Sequence, residues 1–155
     1  MEIPCNIIEI CTNEGAFVLS IIAIDEGTPE SIRRGGITAD FNIQIRVDGI
    51  NADFKCLLSV GNLFAFYSEL QEKYRYLSGK AVLKDCSERL TNVIFDFHKT
   101  GGCRIYGHAY SSAYSGNKIE FSLDCDQTYI SPVICSLKLF FDELAELQGY
   151  YDFLY

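Results

Sequence analysis

Positive charge is scarce in this chain, and in its first 32 residues it is missing: Glu2, Glu9, Glu14, Asp25, Glu26 and Glu30 occur there without one Lys or Arg. Secretory and transit leaders open on basic residues, so this stretch does not read as a leader, and a cytoplasmic protein is expected. Long apolar runs are missing too. The longest, residues 16–24, is interrupted by Ser20 and falls well short of the ~20 residues a helix needs to cross a bilayer. Histidine is reduced to His98 and His108, which leaves little material for a nucleophile-and-base site. The seven cysteines lack the close pairs that mark zinc sites and thioredoxin-like motifs, so they read as free thiols. Cys56, Cys103 and Cys125 fall in phase with apolar neighbours and are taken as small core residues. Gly101-Gly102 leads into a strand, whereas a phosphate cradle should feed a helix N-terminus. No internal repeat is visible.

What is present fits one globular domain over residues 1–155, with 48% hydrophobic and 22% charged residues. The net charge of −8 and a pI near 4.7 oppose direct binding of nucleic acid or of anionic membranes. The same field would speed encounter with a basic protein, although acidity also serves solubility alone.

Periodicity gives the elements. Ile37, Ala39, Phe41, Ile43, Ile45 and Val47 alternate with polar residues, Asp48-Gly49 supplies a tight turn, and alternation resumes over residues 50–58. This predicts a long hairpin, preceded by two strands at 7–10 and 17–24 joined across Asn13-Glu14-Gly15 and followed by a loop over 25–36. From Leu63 the period becomes helical, with Leu63, Phe66, Tyr67, Leu70, Tyr74 and Leu77 on one face. Ser59 or Asn62 can cap its start, and Gly79 occupies a place where a left-handed residue commonly closes a helix. Strands at 81–83, 90–98, 103–110 and 119–125 form an antiparallel meander. Ser131-Pro132 opens a second helix with Ile134, Leu137, Phe141, Leu144 and Gln148 at helical spacing, expected to pack on the meander's apolar face. An aromatic tail, residues 150–155, ends the chain. The expected fold is α+β: an antiparallel sheet of hairpin plus meander, about seven or eight strands, with two main helices, the C-terminal one packed on the sheet.

Candidate chemistry lies on the polar side of the meander. His108 shares a face with Arg104, Tyr106 and Tyr110, whereas Cys103 points to the opposite side, so no Cys-His pair forms along that strand. Glu120, Asp124 and Asp126 emerge from one side of the last strand and could bind a metal or act as acid and base. An exposed strand face is normally polar, however, and no further ligand with suitable spacing can be named, which favours a solvated or partner-binding face. Tyrosines bury much area with few rotors to freeze and are over-represented at interface hot spots. Tyr106, His108, Tyr110, Glu120, Asp124 and Asp126, with Tyr114 nearby, are therefore the candidate partner-binding residues. No catalytic, metal or cofactor-binding residue is assigned. Asp126 has a structural role available as well, since its carboxylate and Thr128 can satisfy backbone N–H groups in the turn toward Ser131.

The hairpin, the helix opening Leu63-Phe64, the Leu77-Ser78-Gly79-Lys80-Ala81 junction, the strand from Gly102 to Gly107, and Asp126-Gln127-Thr128-Tyr129-Ile130 before the last helix together resemble the WapI-type immunity proteins of bacterial contact-dependent toxin systems. The resemblance covers about residues 37–148. It implies a non-enzymatic immunity protein that binds and neutralises a cognate basic toxin domain, typically a nuclease, by stoichiometric occlusion, with no cofactor. No family motif carries binding residues onto this chain. A small-ligand or carbohydrate-binding domain, with Tyr106, His108, Tyr110, Glu120 and Asp124 lining a pocket, is the alternative reading, and a metal-dependent hydrolase is the third. The oligomeric state is open between monomer and weak dimer.

Overall fold

Among the described residues, eight antiparallel strands and two long helices follow one another as β1 (Cys5–Cys11), β2 (Gly15–Ile24), β3 (Thr38–Val47), β4 (Ile50–Ser59), α1 (Val60–Tyr76), β5 (Gly79–Lys84), β6 (Thr91–Phe97), β7 (Gly102–Tyr110), β8 (Lys118–Asp126) and α2 (Ile130–Gln148). The computed structural model describes residues 2–25, 37–85, 91–110 and 116–148, the last four of these by backbone only. The α+β expectation holds, but the strands divide into two sheets of four, ordered β1-β2-β3-β4 and β5-β6-β7-β8. Among the described residues each sheet is a meander followed by a helix, a repeated ββββα order that the sequence does not betray. Repeated topology needs only the same inward pattern of apolar residues, which many different sequences supply.

Alternation sets both inner faces. In β3 the residues Ala39, Phe41, Ile43, Ile45 and Val47 are buried, and Val93, Phe95 and Phe97 do the same in β6. Asp48 and Gly49, with φ of 49° and 77°, make the two-residue turn between β3 and β4. Simple alternation fails in β1, where the register slips between Asn6 and Ile8 and leaves the adjacent Ile7 and Ile8 both buried. The bulge re-aims one of them: Ile7 faces Ser136, Leu139 and Phe140 of α2.

Helix α1 buries Val60, Leu63, Phe66, Tyr67 and Leu70, the stripe expected, but it starts three residues earlier than the periodicity suggested. Ser59 is the cap, its Oγ accepting the Asn62 N–H at 2.9 Å. The left-handed residue that closes the helix is Leu77 at φ 47°, with its N–H directed to Tyr74 O and the Ser78 N–H to Lys73 O. Gly79 instead opens β5, where an added Cβ would lie 2.7 Å from the Lys73 side chain. Helix α2 begins at Ile130, ahead of Ser131-Pro132, behind a short 3₁₀ turn over Gln127–Tyr129. It buries Val133, Leu137, Phe140, Phe141 and Leu144.

The helices are exchanged between the units. Helix α1 lies against β5 of the second sheet, and α2 lies against β1 of the first and beside α1. The expected packing of α2 on the meander β5–β8 is corrected accordingly: an apolar helix stripe packs wherever apolar surface is left bare, and here that surface belongs to β1. One core runs through both sheets and both helices. Phe17 of β2 joins the units, stacking on Phe121 of β8 at 5.9 Å between ring centroids and meeting Phe95 of β6 edge-on at 6.2 Å. Phe66 of α1 meets Phe95 at 5.2 Å, and Phe141 of α2 meets Phe64 at 5.2 Å. The expected loop at 25–36 (beyond Asp25), Tyr114, Leu90, Cys86 and the aromatic tail lie outside the described residues, as do the side chains of Leu147 and Gln148.

Candidate functional site: the outer face of the second sheet

Because the helices lie against β5 and β1 and turn their apolar stripes into the shared core, the outward side of β5–β8 is left bare among the described residues. Strand register sorts its side chains into rungs. One rung runs Lys80, Asp96, Arg104, Asp124, alternating in charge. The next runs Val82, Ile94, Tyr106, Ser122 and is largely apolar. The third runs Lys84, Asn92, His108, Glu120. Beyond it Tyr110 faces Lys118, and at the opposite end Gly102 faces Asp126.

The charged rungs are tied internally. Arg104 donates to both carboxylate oxygens of Asp124, at 2.9 Å and 3.4 Å, and this contact raises the arginine's pKa. Lys80 approaches Asp96 at 3.9 Å and stands 6.0 Å from the centre of the Tyr106 ring. Its pKa is raised, chiefly through Tyr106 and then Asp96. Lys118 contacts Glu120 at 2.6 Å and lies 5.8 Å from the centre of the Tyr110 ring; the ion pair raises the lysine and lowers the carboxylic acid. His108 meets Tyr110 edge-on at 6.0 Å. Cation–ring contacts of this kind fix tyrosine orientation without covering the ring face that is left.

Sequence reasoning anticipated an acidic face. The structure gives a balanced one, in which Lys80, Lys84, Arg104 and Lys118 offset Asp96, Glu120, Asp124 and Asp126. The charge of −8 is therefore carried elsewhere on the molecule. Strand alternation showed which carboxylates share a side, but only the cross-strand register shows which cations stand opposite them.

The six candidate residues do not converge on one point. Tyr106, His108 and Glu120 line a shallow open groove of about 560 Å³ together with Asn92, Ile94, Asp96, His98, Arg104 and Ser122. Tyr110 lies at its end, and Asp124 stands beside it, paired to Arg104. Asp126 is eight residues along β8 from Lys118, a separation of roughly 27 Å at ~3.4 Å per residue. It serves the turn: its Oδ1 accepts the Thr128 N–H at 2.7 Å and the Thr128 hydroxyl, contacts that lower its pKa, hydroxyl first. Asn92, Ile94, Asp96 and Arg104 are groove residues that the sequence reading left out of the site. The alternation of β6 marks Asn92, Ile94 and Asp96 as outward and the meander sets β6 beside β7, but only the cross-strand register shows that they stand opposite His108, Tyr106 and Arg104.

On the inner side, Cys103 and Cys125 stand opposite each other across β7 and β8. The Cys103 thiol is pushed up by its hydrogen bond to Cys125 and by burial, which makes it a poor nucleophile. Among the described residues no group of three or more His, Cys, Asp or Glu side chains is placed to hold a metal ion. No described helix is long and apolar enough to cross a membrane. Comparison with family models, with curated proteins and with solved structures gives no match to this chain.

Proposed function

We propose that the chain is a cytoplasmic immunity-type binding protein that docks one to one on a basic toxin domain of nuclease class and blocks it, the docking surface being the outer face of β6, β7 and β8. One observation carries the reading: a bare sheet face with Tyr106 at its centre, flanked by the Arg104–Asp124 and Lys118–Glu120 ion pairs. Tyr106 offers desolvatable aromatic area, and the ion pairs on either side of it offer fixed donors and acceptors that set register rather than bulk attraction. Attraction at a distance comes from the charge of the whole chain, which draws in a basic partner and repels the nucleic acid that a nuclease would hold. The seven cysteines suit a reducing compartment. The resemblance over residues 37–148 supplies the partner class.

The test is inhibition by titration. The toxin domain encoded beside this chain is assayed for nuclease activity with increasing amounts of the purified protein, and activity should vanish at one equivalent. A toxin that stays active at large excess would remove the proposal.

A second reading rests on the groove itself. Asn92, His108, Glu120 and Ser122 converge around Tyr106 in a space of about 560 Å³, which suits a sugar stacked on the ring. Calorimetry against a panel of mono- and disaccharides separates the two, since a protein interface of this kind returns no heat with free sugars.

A further inference from the structure

The four edge strands of the two sheets are not equally protected. Strands β1 and β5 each have a helix laid against them. Strand β8 carries Lys118, Glu120, Asp124 and Asp126 along its outward side, a density of charge that discourages strand addition. Strand β4 is the exception. It is ten residues long, and it has only β3 beside it among the described strands. It also holds two of the large exposed apolar residues of the molecule, Ile50 at 52% and Leu57 at 39%. Asp53 and Lys55 are the charges it carries, both exposed.

Those two charges select an occupant. When β4 pairs antiparallel with a second β4 about a two-fold axis normal to the sheet, outward residues must meet outward residues, which permits only every second register. Centring on Asp53 sets Asp53 against itself, and centring on Lys55 does the same for lysine. Centring on Phe54 places Asp53 opposite the partner copy's Lys55 twice over and pairs Phe54 with its own copy. That register also engages residues 50–58, nearly the whole strand. Self-pairing of β8 about Ser122 would instead set Glu120 against Asp124, a like-charge contact.

We infer that β4 is a homodimerisation edge: two copies of this chain join antiparallel through β4, centred on Phe54, into one continuous eight-stranded sheet held by reciprocal Asp53–Lys55 pairs. This surface belongs to the first sheet and leaves the groove of the second sheet free, so the inference stands apart from the toxin-binding proposal.

Sedimentation of the full chain over a concentration series tests it. The wild-type chain should reach twice its mass of 17.5 kDa. Asp53→Lys and Lys55→Asp each put like charges opposite one another and should weaken dimerisation roughly tenfold or more. The double variant Asp53→Lys/Lys55→Asp restores opposite charges in the same register and should restore the dimer. Amides of β4 should also exchange more slowly as concentration rises. A wild-type chain that sediments as a single copy throughout overturns the inference. So do single variants that dimerise as well as wild type, or a double variant that stays monomeric.

Discussion

The two ββββα units share topology and inward chemistry, yet their outer faces differ. The outer face of β1–β4 mixes amides and hydroxyls with scattered charges, Glu9, Asp40, Arg46, Asp53 and Lys55, and there Ser20 donates to Asn6 at 2.6 Å and Gln44 to Asp53 at 3.2 Å. The outer face of β5–β8 is ordered into rungs, one alternating in charge, with Tyr106 between it and the next charged rung and Tyr110 beyond. Inward residues in both units obey one demand, burial of apolar area, and so Phe41 and Ile43 of β3 play the part of Phe95 and Val93 of β6. Outward residues escape that demand and are free to differ. The lesson is that function in this fold has to be sought where the repeat breaks down, on the second face and along the β4 edge, rather than in the core that the units share.

The deepest test of the comparison is whether the two units stand or fall together. Phe17→Ala removes the ring that touches both Phe95 and Phe121, and it should cost about 3–5 kcal/mol in denaturant unfolding. Far-ultraviolet and aromatic signals should still report a single transition; two separated transitions would mean the units fold independently.

A smaller effect separates the units at their glycines. In the second unit, a Cβ at Gly107 would sit 1.9 Å from the Asn92 carbonyl oxygen, so β6 and β7 must part, and Gly107→Ala should cost up to ~3 kcal/mol. In the first unit, Gly49 has open space around it and only its φ of 77° to protect, so Gly49→Ala should cost about 1 kcal/mol. Thermal melts of the pair check the order.

On binding, Tyr106→Ala should weaken toxin affinity by about 2 kcal/mol, roughly thirtyfold, by calorimetry. Gln44→Ala at the centre of the first face should leave it unchanged. Equal losses would erase the functional distinction between the faces.

The smallest effect concerns the turns that lead into the helices. Helix α1 is capped by the neutral Ser59, and Ser59→Ala should cost about 1 kcal/mol at any pH. The turn before α2 is capped by Asp126, whose pKa is lower in the folded chain than in the unfolded one. Its contribution is therefore present above the ordinary carboxylate range and fades as pH falls through the folded value. Asp126→Asn keeps an acceptor for the Thr128 N–H but removes the charge, and it should flatten the acid side of the stability–pH curve. A curve of unchanged shape would assign that acid sensitivity to other carboxylates.

Much of the fold could be read directly from the chain. The Asp48-Gly49 turn, the alternation of β3, β6 and β8, and the stripe of α1 are local signals, because a residue's side of a strand or helix depends only on its neighbours in sequence. The capping role of Asp126 was legible for the same reason. The division into two sheets, the bulge at Ile7, the left-handed Leu77 and the crossing of α2 to β1 were not. The candidate groove was half legible: alternation put Arg104, Tyr106 and His108 on one side of β7 and Glu120 on the matching side of β8, but which of Asn92, Ile94 and Asp96 stand opposite them depends on the register between β6 and β7.

By itself, the sequence determined which residues face inward, where the chain turns, and that the molecule as a whole is acidic, since periodicity, turn chemistry and charge count need no knowledge of the third dimension. Tertiary structure alone decided that the carboxylates of the second face are matched by Lys80, Arg104 and Lys118, that each helix serves the other unit's sheet, and that β4 has only β3 beside it among the described strands. Those outcomes depend on which strands become neighbours, a choice made by the collective burial of apolar surface across the whole chain.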